Sequence, residues 1–509
     1  MQPRALPERP NLDHLKNEAK ALLETLRESD PAAKLTDAQR ALARAYGFPT
    51  WAKLRSHVLA ARSTTDTAID AFLSAIQDQD PARATAIADK HPAIVSSSLH
   101  VAATLGATEE VRRMLTARPA AVHEKAGTPP AEPLLYLGFS PFHGETPERD
   151  AGLLASTRAL LEAGADPNTK DGRYGVAVLY GVTGMHNSPT IARVLLESGA
   201  SPNDGESVFH AAERFHIEAL ELLREFGVDL NYVGEWGNTA LYFVLNGHDP
   251  DRDERVARGV DWLLANGADP NISCGKEREN SLHVAVRRGR GERTIRKLLA
   301  HGADVKALRD DGVSALRLAR RGGYDGIAAL LERAGAEAEP MTAADELLAA
   351  CGRGDADAAR QLASPQLVAS LPPSERAIIN EAAREGRAAT VEACIAAGFN
   401  VNEENDRGAL PIHEAAISGH ARIVSALITA GSDLSARDPE HRATPLGWAV
   451  FGADYVPDPS GDYEATIRAL IAAGAKGTET EGEPRHPGAR AALGLPPRAT
   501  PEARTASHR

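Results

Sequence analysis

Residues 407–438 read RGALPIHEAAISGHARIVSALITAGSDLSARD, and the unit they spell decides the fold. Gly408 stands where a turn needs a positive φ. Leu410-Pro411-Ile412-His413 opens a short helix that Gly419-His420 closes. A second helix follows, with Ile423, Val424, Leu427 and Ile428 at helical spacing and Ala430-Gly431 as its C-terminal stop. Glycines in the same A-G or G-A setting fall at Gly164, Gly199, Gly227, Gly267, Gly302, Gly335, Gly398, Gly431 and Gly474. Most steps equal one unit. The 63-residue step from Gly335 to Gly398 holds two units, one without a hairpin signature, and the steps of 40 and 43 before Gly267 and Gly474 leave room for short insertions.

The whole unit resembles the ankyrin repeat, a β-turn plus two helices of about 33 residues with a T-P-L-H-x-A signature. The resemblance implies an all-α solenoid of about twelve units, helix-turn-helix with short β-hairpin loops, each packing only on its neighbours. Leu99-His100-Val101-Ala102-Ala103 and Leu282-His283-Val284-Ala285 are further good copies. Three helices precede the array. Leu12, Leu15, Ala19, Leu22, Leu23 and Leu26 stripe the first; Thr36 and Gln39 form a capping-box pattern for the second, which Gly47 stops; Thr50 caps a third with Trp51, Leu54 and Val58 inward. The wording LKNEAKALLETLR and LARAYGFPTWAKLRSHV resembles a helical segment found ahead of ankyrin repeats in many bacterial proteins, which assigns no activity.

Residues 67–97 recur 275 positions later, Thr67, Asp70, Leu73 and Asp80 returning as Thr342, Asp345, Leu348 and Asp355. Such hairpin-poor units suit the ends of arrays. The sequence therefore predicts an N-terminal helical domain at 1–62, one repeat block at 66–340, a second at 341–478 and a disordered tail over 479–509. Few contacts are expected across the joint Glu337 to Pro340. Insertions are expected at 127–152, 247–256 and 452–462.

No apolar run approaches the roughly 18 residues of a spanning helix, and MQPRALPERPNLDHLKNE shows no signal-peptide core. Three cysteines, Cys274, Cys351 and Cys394, cannot build a disulfide framework. A cytoplasmic location follows, and the preference for Arg (46) over Lys (11) fits a bacterial source.

No phosphate loop, nucleophile elbow or metal-spaced cysteine set is present, so neither enzyme nor cofactor is expected. His210, Glu213 and His216 share one helical face at a spacing that could hold a metal. His210, however, occupies the signature histidine slot and His216 the slot before the second helix, where rings bond backbone. No metal is assigned. A DNA-binding regulator using the helices at Arg44 to His57 is the alternative function, weakened by the apolar turn Gly47-Phe48-Pro49-Thr50.

What remains is protein recognition. In the family partners lie on the concave face, against hairpin tips and the exposed side of first helices. The resemblance places those slots at Glu235, Trp236 and Asn238; at Lys276, Glu277, Glu279, Arg287 and Arg288; at Asp310, Asp311 and Val313; and at Asp406, Arg407, Ala409, Ile417 and Ser418. Trp236, between Glu235 and Gly237, has little core to enter unless it folds back on Tyr232, and tryptophan is enriched among binding anchors. Residues 1–62 and the last 26 each sum to +4, leaving −21 on residues 63–483. Such a field repels nucleic acid and anionic membrane and steers in a partner with a basic surface.

Overall fold

The computed structural model describes residues 12–29, 34–48, 50, 51, 53, 54, 64–172, 175–247, 251, 253–405, 407–455, 458, 460–476, 484 and 486–496. Among the described residues it is all-helical. Isolated bridges at Ala126–Ala131, Lys170–Ala177, Cys274–Glu279 and Leu308–Ser314 close the loops that lead into first helices. Among the described residues, twelve helix pairs run from Thr64–Gln77 with Pro81–Lys90 to Pro445–Tyr455 with Tyr463–Ala472. Two of them, Ala343–Arg353 with Ala356–Leu362 and Ile378–Arg384 with Ala388–Ala396, fill the long step between Gly335 and Gly398.

The unit at 407–438 forms for the local reasons its residues give. Gly408 (φ 73°) and Gly431 (φ 91°) lie in the left-handed region, where a side chain is strained. Helices Pro411–Ile417 and Ala421–Thr429 follow, and Ile423, Val424 and Leu427 are fully buried between neighbours. His413 accepts from the Leu410 amide (3.2 Å) and meets the Ala436 carbonyl of the next hairpin (3.2 Å), tying one unit to the next.

A second tie follows the stop glycine at a fixed distance. Asn168, Asn271 and Asn402 each donate to the carbonyl of the next stop glycine, Gly199 (3.0 Å), Gly302 (2.9 Å) and Gly431 (3.2 Å), and accept an amide from Ser201, Asp304 and Asp433. Each asparagine thus satisfies a donor and an acceptor that a loose loop would leave to water.

The chain divides into two compact units, Met1–Gly234 and Glu235–Arg509. That boundary falls inside the stretch 66–340 that the sequence reads as one block. In the first unit, Leu12–Ser29 and Leu35–Ala45 lead the array, with Leu15, Ala43 and Leu54 as a small core against which Tyr46, Phe48 and Trp51 pack. The second helix starts before Thr36: Lys34 is its cap, its amide bonding Asp37 (3.0 Å). Thr50 caps the start of the third by accepting from Lys53 (3.2 Å), while Val58 lies outside the described residues. The stretch 127–152 is no mere insertion, because Pro133–Gly138 is a first helix with Leu134 and Leu137 fully buried.

In the second unit the expected gap at 337–340 is absent. Asp345, with no exposure, binds Arg317 (2.7 Å) and Arg321 from the preceding first helix, and an added Cβ at Gly352 would stand 2.4 Å from the Gly322 backbone. Helices 315–321 and 343–353 therefore stack as directly as any pair. Asp355 does cap its second helix as Asp80 does in the first unit, both at 3.0 Å, so the 275-residue repetition is real although the break is not. Within the tail, Pro487–Ala492 forms a helix whose Ala489 is buried, with Arg490 bonding the Pro484 (2.9 Å) and Pro496 (2.7 Å) carbonyls. Residues 479–483, 485 and 497–509 lie outside the described residues.

Close stacking makes Gly452 a sharp test. An added Cβ would stand 2.0 Å from the Ile417 carbonyl oxygen on the adjacent first helix. Gly452→Ala should cost about 1–3 kcal/mol, as overpacking does, and lower the melting temperature by several degrees. An unchanged melt would show that the two helices can part freely.

Candidate partner-binding surface

The slots chosen for recognition separate into three groups. Glu235, Trp236, Lys276, Asp310, Asp311 and Arg407 are exposed, while Asn238, Glu277, Arg287, Arg288, Ile417 and Ser418 are half-buried. Glu279, Val313 and Ala409 are buried (4%, 5% and 0% exposed) and cannot meet a partner directly. Asp406 lies outside the described residues.

Trp236 is 70% exposed, the most of any large apolar side chain described, and sits beside Gly237 (φ 73°) at the tip of its loop. A ring so placed contributes little to the core. It is available to contact.

The arginines at first-helix ends have other work. Arg287 donates to Glu279 (2.8 Å) and to Glu381 (3.0 Å), 94 residues away. Arg309 also binds Glu279 (2.9 Å), and the Tyr242 hydroxyl donates to the same carboxylate (3.2 Å). Burial opposes the charge on Glu279, but Arg287 and Arg309 outweigh it and hold its carboxyl below the usual range. Arg320 pairs with Glu332 (2.7 Å), and Arg321 with Asp345 and Glu375 (2.7 Å). These guanidiniums are consumed within the array and are not anchors for a partner. Asp311 is engaged too, by Arg309, so among the acidic tips Asp310 is the freer, with Arg278 at 3.9 Å.

The candidate metal set does not converge. His210 sits between Glu206 (3.4 Å) and Glu213, whereas His216 turns away to the Thr183 carbonyl (2.8 Å). No group of three metal-binding side chains occurs among the described residues. Burial works against a charged His210, but the two carboxylates outweigh it and raise its pKa. His100 bonds the Glu124 (2.9 Å) and Ala131 (3.1 Å) carbonyls, as a structural histidine should. No helix among the described residues is long and apolar enough to cross a membrane.

With this geometry in place, the comparisons with known proteins are specific. Residues 208–252 match the family profile for ankyrin repeats (many copies), and residues 255–342 and 379–478 match the profile for ankyrin repeats (3 copies). A solved structure, that of the human ASB11 ankyrin repeat domain, is similar at 25% identity over 48% of this chain and 99% of that one, with a TM-score of 0.35. The fold is thus an all-α array of ankyrin repeats, a module that mediates protein–protein interaction.

Sequence reasoning missed Arg309, Asp345, Glu375 and Glu381, which carry the charged interior of the second unit. Their partners lie 24 to 94 residues away, and no local pattern marks them. The 275-residue repetition did single out Asp345, though for another reason.

Proposed function

We propose that this protein is a non-catalytic recognition module that binds a partner protein across its hairpin tips and the concave side of its first helices. Trp236 is the principal anchor. The observation that carries the reading is the exposure of that ring, 70%, at a loop tip, where an aromatic side chain adds nothing to stability and much to contact. Glu235 beside it, and Lys276, Asp310 and Arg407 at later loops, are exposed charges of both signs. The net −21 of residues 63–483 favours a basic partner by raising its association rate. Nucleic acid and anionic membrane are disfavoured by the same field, and the array works in the cytoplasm.

The test compares wild type and Trp236→Ala as baits in a cell extract, with retained proteins quantified by mass spectrometry and binding confirmed with the purified partner. Loss of a buried aromatic anchor costs about 2 kcal/mol, so affinity should fall at least tenfold, mostly through faster dissociation, with the melting temperature unchanged. Equal retention by both baits would remove Trp236 from the interface. A lowered melting temperature with unchanged affinity would make the ring part of the core.

A further inference from the structure

Inside the second unit, the first helices between residues 238 and 414 surround a cavity of about 620 Å³, a size typical of small-molecule sites. Eight lysine and arginine side chains and six glutamates line it, a local excess of positive charge within an acidic chain. Most of that charge is matched. Glu279, Glu375 and Glu381 are taken by Arg287, Arg309 and Arg321.

Among the cations of the lining that are at least half-buried, Arg384 is the exception. It is half-buried, and its guanidinium has neither an ion pair nor a hydrogen bond among the described residues. Burial disfavours its charge; Glu414 and Glu385 offset part of that, while Arg288 and Arg407 add to it. Two further residues of the lining carry donors without a hydrogen-bond partner. The Tyr324 hydroxyl is buried without a partner, and so are Nε and Nη1 of Arg387, although Glu385 lies 3.1 Å away. The Arg387 guanidinium sits 5.7 Å from the centre of the Tyr324 ring, so these donors are neighbours. A half-buried cation with no direct ion pair, on the lining of a cavity that also holds unsatisfied donors, is an unfavourable arrangement that an anion would relieve.

We propose that this cavity binds a small, multiply charged oxyanion, with Arg384 as its counter-ion and Arg387 and Tyr324 as its hydrogen-bond donors. Guanidinium forks match the oxygens of phosphate and carboxylate groups alike. Lys276 and Arg407 of the proposed partner surface also line this cavity, whereas Trp236 does not.

Calorimetric titration of the full chain with pyrophosphate and with citrate tests the proposal. One of the two should bind with a Kd below about 1 mM, and which one saturates distinguishes a phosphorylated ligand from a polycarboxylate. Arg384→Gln should weaken that binding at least tenfold and, by removing an uncompensated charge, raise the melting temperature of the ligand-free protein. Arg384→Lys should retain part of the binding, and Trp236→Ala all of it. Absence of binding by both anions at about 10 mM, or unchanged binding by Arg384→Gln, would overturn the proposal. So would binding confined to an acidic peptide such as hexaglutamate.

Discussion

Asp345→Ala should destabilise the second unit by about 3–5 kcal/mol, the range for removing one partner from a buried ionic cluster. The carboxylate has no exposure and accepts five bonds or contacts from three residues: Arg317 through Nε (3.0 Å) and Nη2 (2.7 Å), Arg321, and the Thr342 amide and hydroxyl (2.7 Å each). Truncation takes from Arg317 and Arg321 their fully buried counter-charge, leaving Arg317 to Glu339 (3.3 Å) and Arg321 to Glu375 (2.7 Å), and removes half of the capping box that Thr342 begins. Urea unfolding followed by circular dichroism measures the loss. A fragment cut at residue 340 would remove Arg317 and Arg321 from Asp345, so residues 341–478 made alone should be less stable than within the full chain. A loss below 1 kcal/mol in Asp345→Ala would mean that water reaches the cluster.

The difference between what was legible and what was not follows from range. The stop glycines, the helix stripes and the histidine slots are readable because each is set within a few residues, and Gly431, Ile423 and His413 all behave as their spacing predicts. The number of units follows from the same ruler. Burial at the hairpins is different. A slot marks a residue's place in the repeat, but Val313 and Ala409 are buried there, which the slot does not record. The charged residues are furthest from view: Arg287 and Arg321 stand where an exposed anchor would, and only the fold reveals Glu381 and Glu375 opposite them. Trp236 was readable for the converse reason, since a large ring beside glycine at a loop tip has nothing local to bury it.

Acid should weaken the first unit through His100. Burial lowers its pKa from 6.5 to about 4, the bonded carbonyls of Glu124 and Ala131 offsetting only part of that. The folded value is below the unfolded one, so the unfolded chain takes up the proton first. The stabilisation is therefore complete above about pH 6.5, falls as pH drops toward 4, and levels off below. The full shift corresponds to about 3 kcal/mol, of which about 2 kcal/mol is lost by pH 5. Unfolding of wild type and His100→Gln at pH 7.5 and pH 5 isolates the effect. The variant should be weaker at the higher pH, and the gap between the two proteins should shrink by about 2 kcal/mol at the lower. A gap independent of pH would show that His100 is protonated alike in both states.

The bond between Arg287 and Glu381 spans 94 residues, whereas the asparagine and histidine ties between neighbours span 23 to 33. In a fold of otherwise low contact order, which assembles by local growth, this is a late contact: it can close only after the units at 315–333 and 343–362 stand between its ends. Strengthening or weakening it should leave the speed of folding nearly untouched and change how long the folded array lasts. The charge clasp thus acts as a kinetic lock on a structure whose units are otherwise held by their neighbours, and its partial burial keeps salt from loosening it as it would an exposed pair.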